Sequence, residues 1–375
     1  MPTLATWTLA ATAIGAVTLV DSATRSAERS PGAELRAADL QASGPVAGPP
    51  PRLAETGLYE DVASRTLHAD VLPFSPQYPL WTDGARKHRW IRLPPGTSID
   101  ASDPRSWRFP IGTRLWKEFA YEKRVETRFM ELTAAGWIYA TYVWTEDGRD
   151  AVLAPERGVP ALYVKTSGAV RHDIPGVYDC KACHQGREGE VLGFELLQLS
   201  PDRDPLAPHA TSSPDDVNLV TLAERGLLRG LPTELLSAPP RVAARTPRER
   251  AALGYLHGNC SSCHNASGPL ATLGLSLTAP ISGVANADGD QGARDTAVGV
   301  GSRFRLPGTS RSALRIAPSD PDGSVLVQRM SSRHATVQMP PLGTSTVDEE
   351  AVRLVTDWVR ELPARAISMT AQSTR

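Results

Sequence analysis

"TPRERAALGYLHGNCSSCHN", residues 246–265, carries a helix signal straight into two thiols and an imidazole. Thr246 precedes Pro247, and Glu249 follows three residues after the threonine, the pattern of a capping-box helix start. Ala252 and Leu256 stand eight and four residues before Cys260 and share one face of that helix. A second pattern, "VDEEAVRLVTDWVREL" (347–362), has acidic residues at its positive end, and its Leu354 and Trp358, at i, i+4 spacing, are able to cross the first helix. Residues 267–345 between the two are rich in Gly, Ser and Pro and are expected to form mostly loops and short strands. A shorter helical pattern, "DDVNLVTLAERGLL", occupies 215–228.

The thiol cluster is repeated. "DCKACHQ" (179–185) and "NCSSCHN" (259–265) share the arrangement Cys-x-x-Cys-His and use all four cysteines of the chain. Thiols at this spacing add across the two vinyl groups of one haem, and the following histidine ligates the iron from the same face. Other readings fit less well. Zinc ribbons pair their knuckles about 15–20 residues apart, whereas these begin at 180 and 260. A dithiol catalyst needs no adjacent histidine, and exported thiols left free are ordinarily oxidised to disulfides. The expected cofactors are two covalent haems, one on Cys180 and Cys183 and one on Cys260 and Cys263, with His184 and His264 on the irons.

Farther out, Leu4 to Val20, "LATWTLAATAIGAVTLV", is apolar and uncharged and is followed by small residues, so 1–22 reads as a signal peptide. Without Lys or Arg ahead of it, retention as an anchor is the alternative, and the only membrane contact expected. Residues 23–56, including "GPVAGPPP", read as a flexible linker. The implied location is the periplasm or cell envelope. Lys plus Arg (40) nearly balance Asp plus Glu (41), which removes any chain-wide field for nucleic acid.

The fold class expected is α+β. Residues 57–175 form a β-rich domain, an antiparallel sheet or small sandwich. "RVETRFMEL" (124–132) and "WIYATYVW" (137–144) alternate across a short turn as a hairpin, with "RWIRL" and "TRLWKEFAY" ahead of it. Residues 176–240 carry the first attachment motif, 241–364 form a mainly α-helical domain with the second, and 365–375 are a tail. "GARKHRWIR" (84–92) reads as a strand with solvated charges on one face, a haem-propionate or partner-docking role being the alternative. "NADGDQGARD" (286–295) reads as a polar loop, since an EF-hand needs glycine and glutamate where Gln291 and Ala297 stand.

The chain resembles a family of bacterial diheme c-type cytochromes with an amino-terminal β domain. The resemblance runs over roughly 75–362 and rests on "YPLWTDGARKHRWIRLPPGT" (78–97), "ETRFMEL" with "YVW", "DCKACH" followed by "LGFELLQL", "YLHGNCSSCHN", and "MPPLG" before the last helix. The carboxy-terminal part resembles a class I cytochrome c domain. That resemblance implies His264 as proximal and Met339 as distal ligand, with Met330 and His334 as the substitutes, and gives Gly268-Pro269 the carbonyl that orients His264. The family implies haem binding and electron transfer with redox partner proteins of the envelope.

The first haem is less determined. Pro175 and Gly176 break any helix approaching Cys180, which places this motif at a domain boundary. No methionine occurs between 131 and 329, so the partner of His184 is His209, His172, His88, His68 or Met130, or is absent. Two strong axial ligands restrict a haem to passing electrons, whereas an open iron binds peroxide or oxygen. The leading function is therefore a diheme electron shuttle with no catalytic residue. The alternatives are a peroxidase- or oxygenase-type enzyme with an open His184 haem, and a redox- or ligand-sensing module.

Overall fold

The structure is a computed structural model describing residues 48–164, 171–187, 189–285, 292–305 and 313–364. The signal-peptide stretch, residues 23–47 of the linker, the first six residues of "NADGDQGARD" and the tail from 365 lie outside the described residues. No helix among the described residues is long and apolar enough to cross a membrane.

Strands β1 (Tyr59–Asp61) and β2 (Thr66–Leu67) pair antiparallel. The main sheet uses β3 (Leu72–Pro73), β4 (Arg86–Arg92), β6 (Arg114–Ala120), β7 (Arg124–Thr133), β8 (Gly136–Trp144) and β9 (Ala151–Leu153), in that spatial order and antiparallel throughout. Strand β5 (Ile99–Asp100) pairs in parallel with β12 (Leu228–Arg229), and β10 (Val159–Val164) pairs with β11 (Arg171–Ile174). The expected hairpin is β7–β8, with the turn closed at Gly136 in a positive-φ conformation that favours glycine. The β-rich part is thus one six-stranded antiparallel sheet with three two-stranded pairings beside it.

Alternation gives the sheet two unlike faces. On one, Trp90, Trp116 and Phe129 line up and pack with Leu53, Leu58 and Tyr59. Leu53 and Leu58 are fully buried, each stabilising the fold by roughly 1.5–3 kcal/mol. The indole of Trp116 donates to Thr56 Oγ1 at 3.0 Å, and the Tyr142 hydroxyl donates to the Pro50 carbonyl at 2.8 Å. Residues 48–56, read above as part of a linker, are thus a built piece of the fold, because they supply apolar cover that this face needs.

The opposite face carries Ile91, Leu115, Met130 and Tyr139 in one row and Arg89, Lys117 and Arg128 in the next. Against it lie α1 (Val177–His184), α2 (Leu219–Glu224) and α3 (Glu234–Ser237), with Phe194, Leu196 and Leu199 completing the core. The charges of "GARKHRWIR" do not share one solvated face. Arg86 and His88 are exposed, whereas Arg89 is buried on the inner face.

Beyond residue 241 the chain contains α4 (Pro247–Cys260), α5 (Gly292–Ala297), α6 (Val325–Met330) and α7 (Glu349–Glu361). Helices α4 and α7 cross as expected, burying Ala252, Leu256 and Trp358 together, with Leu354 partly buried against them. Among the described residues the remainder is one short 3-10 turn (Ala271–Leu273), isolated bridges and loop, so the expectation of a mainly helical domain fails. Arginine side chains from elsewhere in the chain hold these loops by their carbonyls. Arg315 donates to the carbonyls of Leu273, Gly274 and Thr296, each at 2.6 Å, and Arg333 to that of Thr346 at 2.6 Å. Helix α5 begins inside the stretch read as a polar loop.

Sheet and helices meet through residues 78–85. Tyr78 lies across α4 where Gly254 and Gly258 share a face; a Cβ on Gly254 would fall 2.1 Å from Tyr78 Cε1, and one on Gly258 2.2 Å from its carbonyl. Trp81 N donates to Asn259 Oδ1 at 2.8 Å. The Asp83 carboxylate accepts from the backbone amides of Ser345 (2.9 Å) and Thr346 (2.8 Å) and from the Thr346 hydroxyl (2.9 Å).

Candidate functional site

Helix α4 starts as its sequence dictates. Thr246 Oγ1 accepts from Glu249 N at 3.1 Å, and Pro247 occupies the first turn. The Glu249 carboxylate reaches back to Arg245 N at 2.6 Å, one residue beyond the usual reciprocal bond. The helix ends at Cys260, and its last turn continues through His264 N, which donates to the Cys260 carbonyl at 2.9 Å.

A cavity of about 390 Å³ opens beside this motif, within the usual range for a cofactor site. Cys260, Cys263 and His264 line it, and Met339 and Met330 line it as well. Leu273, Leu275 and Leu277 supply apolar wall; Arg303, Arg315, Arg329 and Arg333 bring positive charge. Burial pushes the Cys260 thiol up to about 12. Burial, with Arg329 and Arg315, holds the His264 imidazole below its ordinary range, which keeps it neutral and able to bind a metal. His334 is exposed, hydrogen-bonded to Thr336, and does not line the cavity.

One expected contact is missing. His264 Nδ1 is buried without a hydrogen-bond partner, so the Gly268-Pro269 segment does not orient it. Gly268 N instead donates to Asn265 Oδ1 at 2.6 Å.

The first motif forms α1 directly after β11, with no helix leading into it. The Asp179 carboxylate accepts from Gly176 N at 2.9 Å and caps the start. His184 Nδ1 lies 2.6 Å from the Glu190 carbonyl. A carbonyl only accepts, so Nδ1 carries the proton and Nε2 is left for a metal. The Tyr139 ring packs 5.2 Å from the His184 ring, and its hydroxyl donates to Glu190 Oε2 at 2.7 Å. Burial brings the His184 imidazole down to about 4, again the neutral form.

Four of the proposed partners of His184 lie beside carboxylates, His209 and His172 through Nε2 and His88 and His68 through Nδ1. His209 Nε2 bonds Asp348 at 2.9 Å. His172 is buried between Glu126 Oε1 (2.9 Å) and the Tyr121 hydroxyl (3.2 Å). His88 bonds Glu118 at 3.2 Å, and His68 lies 3.8 Å from Glu60. Met130 sits in the apolar cluster against which Cys180 packs.

The two motifs touch, which no sequence signal announced. Gly186 lies so close to Ser262 that a Cβ would fall 2.1 Å from the Ser262 carbonyl. Asn265 Nδ2 donates to the Gly186 carbonyl at 2.9 Å. Arg187 pairs with Glu195, whose other oxygen accepts from His257 Nε2 of α4 at 2.9 Å. His257 Nδ1 accepts from Ala279 N at 3.3 Å, which fixes the proton on Nε2.

The four cysteines are half-buried, and none is joined to another in a disulfide. With one histidine following each pair, and a thioether in the wall of the second cavity, the donor set fits covalent haem. Cys180, Cys183 and His184 would hold one group; Cys260, Cys263, His264 and Met339 would hold the other. Among the described residues, no three His, Cys, Asp or Glu side chains converge as a structural zinc requires. No family model, no curated protein and no solved structure matches the chain.

Proposed function

We propose that this chain is an exported diheme c-type cytochrome that passes single electrons between redox proteins of the cell envelope. The observation that carries the reading is the contact between the two attachment motifs through Gly186, Ser262 and Asn265. Electron tunnelling falls steeply with distance, so centres attached to abutting segments exchange electrons quickly. When bound, haem supplies a one-electron change at iron. The chain supplies neutral imidazoles, apolar walls that exclude water, and a thioether at Met339 that favours the reduced state.

A second reading draws on the histidines. His68, His88, His172 and His209 each lie beside a carboxylate, and a haem that His184 held without a second histidine would be open to peroxide or oxygen and make the chain a peroxidase- or oxygenase-type enzyme. Electron paramagnetic resonance of the oxidised holoprotein decides between them. Two low-spin centres, with no carbon monoxide uptake on reduction, are the expected result. One high-spin centre that binds carbon monoxide and reacts with peroxide would overturn the shuttle.

A further inference from the structure

The sheet turns an excess of positive charge toward the first motif. Arg89, Lys117 and Arg128 are consecutive partners across β4, β6 and β7, and Lys87 lies one row along. Residues so placed stand about 5 Å apart, where like charges repel. The Phe119 ring sits among three of them: Lys87 Nζ lies 5.6 Å, Lys117 Nζ 5.0 Å and the Arg128 guanidinium 4.2 Å from its centroid.

The opposing charge is too small. Glu126 is buried with them, and it already takes Arg128 at 2.7 Å and His172 at 2.9 Å. Arg89 is 6% exposed, and among the described residues neither it nor Lys117 has a side-chain hydrogen bond or ion pair. Asp216 acts on Arg89, and Asp83 and Asp348 on Lys87, only through longer-range attraction. Burial, with the neighbouring cations, holds the Lys117 amine well below its ordinary range and brings Lys87 down to about 7. Only Arg89 is fully buried; Lys87, Lys117 and Arg128 are half-buried, so an anion from outside can reach them and offset their mutual repulsion.

Its position says where the anion lies. Helix α1 packs on this same face: Cys180 lies against the cluster that holds Leu115 and Met130, the row next to Lys117 and Arg128, and the His184 ring lies 5.2 Å from that of Tyr139. We propose that Lys87, Arg89, Lys117 and Arg128 form a carboxylate-binding site beside the first motif, occupied by the propionates of the haem on Cys180 and Cys183 or by a small dicarboxylate from solution. The propionate source rests on the haem reading above; the site itself does not. A pair of carboxylates offsets most of the charge excess, and guanidinium forks hold carboxylates in bidentate geometry.

The test compares the wild-type holoprotein with Lys117→Met and Lys117→Arg, after haem per chain has been counted by mass spectrometry. A carboxylate site predicts that Lys117→Met lowers the melting midpoint, and that Lys117→Arg restores it. With propionates as the ligand, Lys117→Met also moves one haem's potential downward and leaves the other in place. Calorimetry with succinate separates the sources: heat of binding lost in Lys117→Met identifies a dissolved dicarboxylate, and absence of heat with a shifted potential identifies the propionates. A raised midpoint in Lys117→Met, with both potentials unmoved and no succinate heat, overturns the proposal, because it shows a cation with no partner. A changed ferric spin state would make Lys117 an iron ligand and overturn it as well. Succinate binding through Lys117 in protein that carries no haem on Cys180 and Cys183 would reject the haem reading while keeping the site.

Discussion

Asn265, the residue after His264, donates its side-chain amide to the carbonyl of Gly186, two residues after His184, at 2.9 Å. The same amide reaches the Ser261 carbonyl at 2.8 Å, so one buried side chain ties the end of the first motif to the turn of the second. The junction has no room for a side chain at Gly186. Two segments far apart in sequence are thereby held in one arrangement, and the consequences can be measured.

Attachment comes first. The purified protein, made with a working haem-attachment system, should carry the mass of two haems through four thioether bonds, and Cys260→Ser with Cys263→Ser should leave one. A haem-free protein holding zinc would overturn the cofactor assignment.

Met339 and Met330 both line the second cavity. Met339→Ala should abolish the weak red charge-transfer band of a His/Met ferric haem and lower that haem's potential, with attachment intact; Met330→Ala should keep the band. The reverse pattern would transfer the ligand role to Met330. Asp83→Ala, which strips the acceptor from Ser345 and Thr346 behind the Met339 loop, should cost about 1–3 kcal/mol in a denaturant titration.

Gly186→Ala forces a Cβ against the Ser262 carbonyl and should destabilise the fold by about 1–3 kcal/mol. Gly301→Ala, where nothing lies within 4 Å, should stay within about 0.5 kcal/mol of wild type. Thermal melts of the two variants suffice; equal midpoints would mean the motifs are not packed together.

Burial raises the Glu195 carboxyl, but Arg187 and His257 outweigh it and bring it to about 2, against an ordinary value of 4.5. A carboxyl depressed in the folded state contributes stability that is present above about pH 4.5 and is lost as pH falls through about 2. Glu195→Gln should therefore be about 2–3 kcal/mol less stable than wild type near neutrality, the gap closing below about pH 2. A gap that does not change with pH would show that the pair is not ionic.

Much of this protein is legible in its residues alone because the signals are local. The alternation of 124–132 and 137–144 specifies the β7–β8 hairpin, Thr246 and Pro247 start α4, and the Cys-x-x-Cys-His spacing points to its own chemistry. Periodicity and caps depend on neighbours within a few positions, so they survive being read without a fold. Tertiary structure decided what depends on distant partners. "GARKHRWIR" reads as a strand either way, but only the elements packed on the inner face turn Arg89 from a solvated charge into a buried one. Gly254 and Gly258 look like faults in a helix until Tyr78 lies across them, and residues 48–56 look like linker until Leu53 meets Trp116. The loops after α4 carry no ladder to predict, since Arg315 and Arg333 satisfy their carbonyls from side chains far along the chain. The contact of Gly186 with Ser262 has no signal at all in sequence, because a glycine's need for space is set by the chain that approaches it.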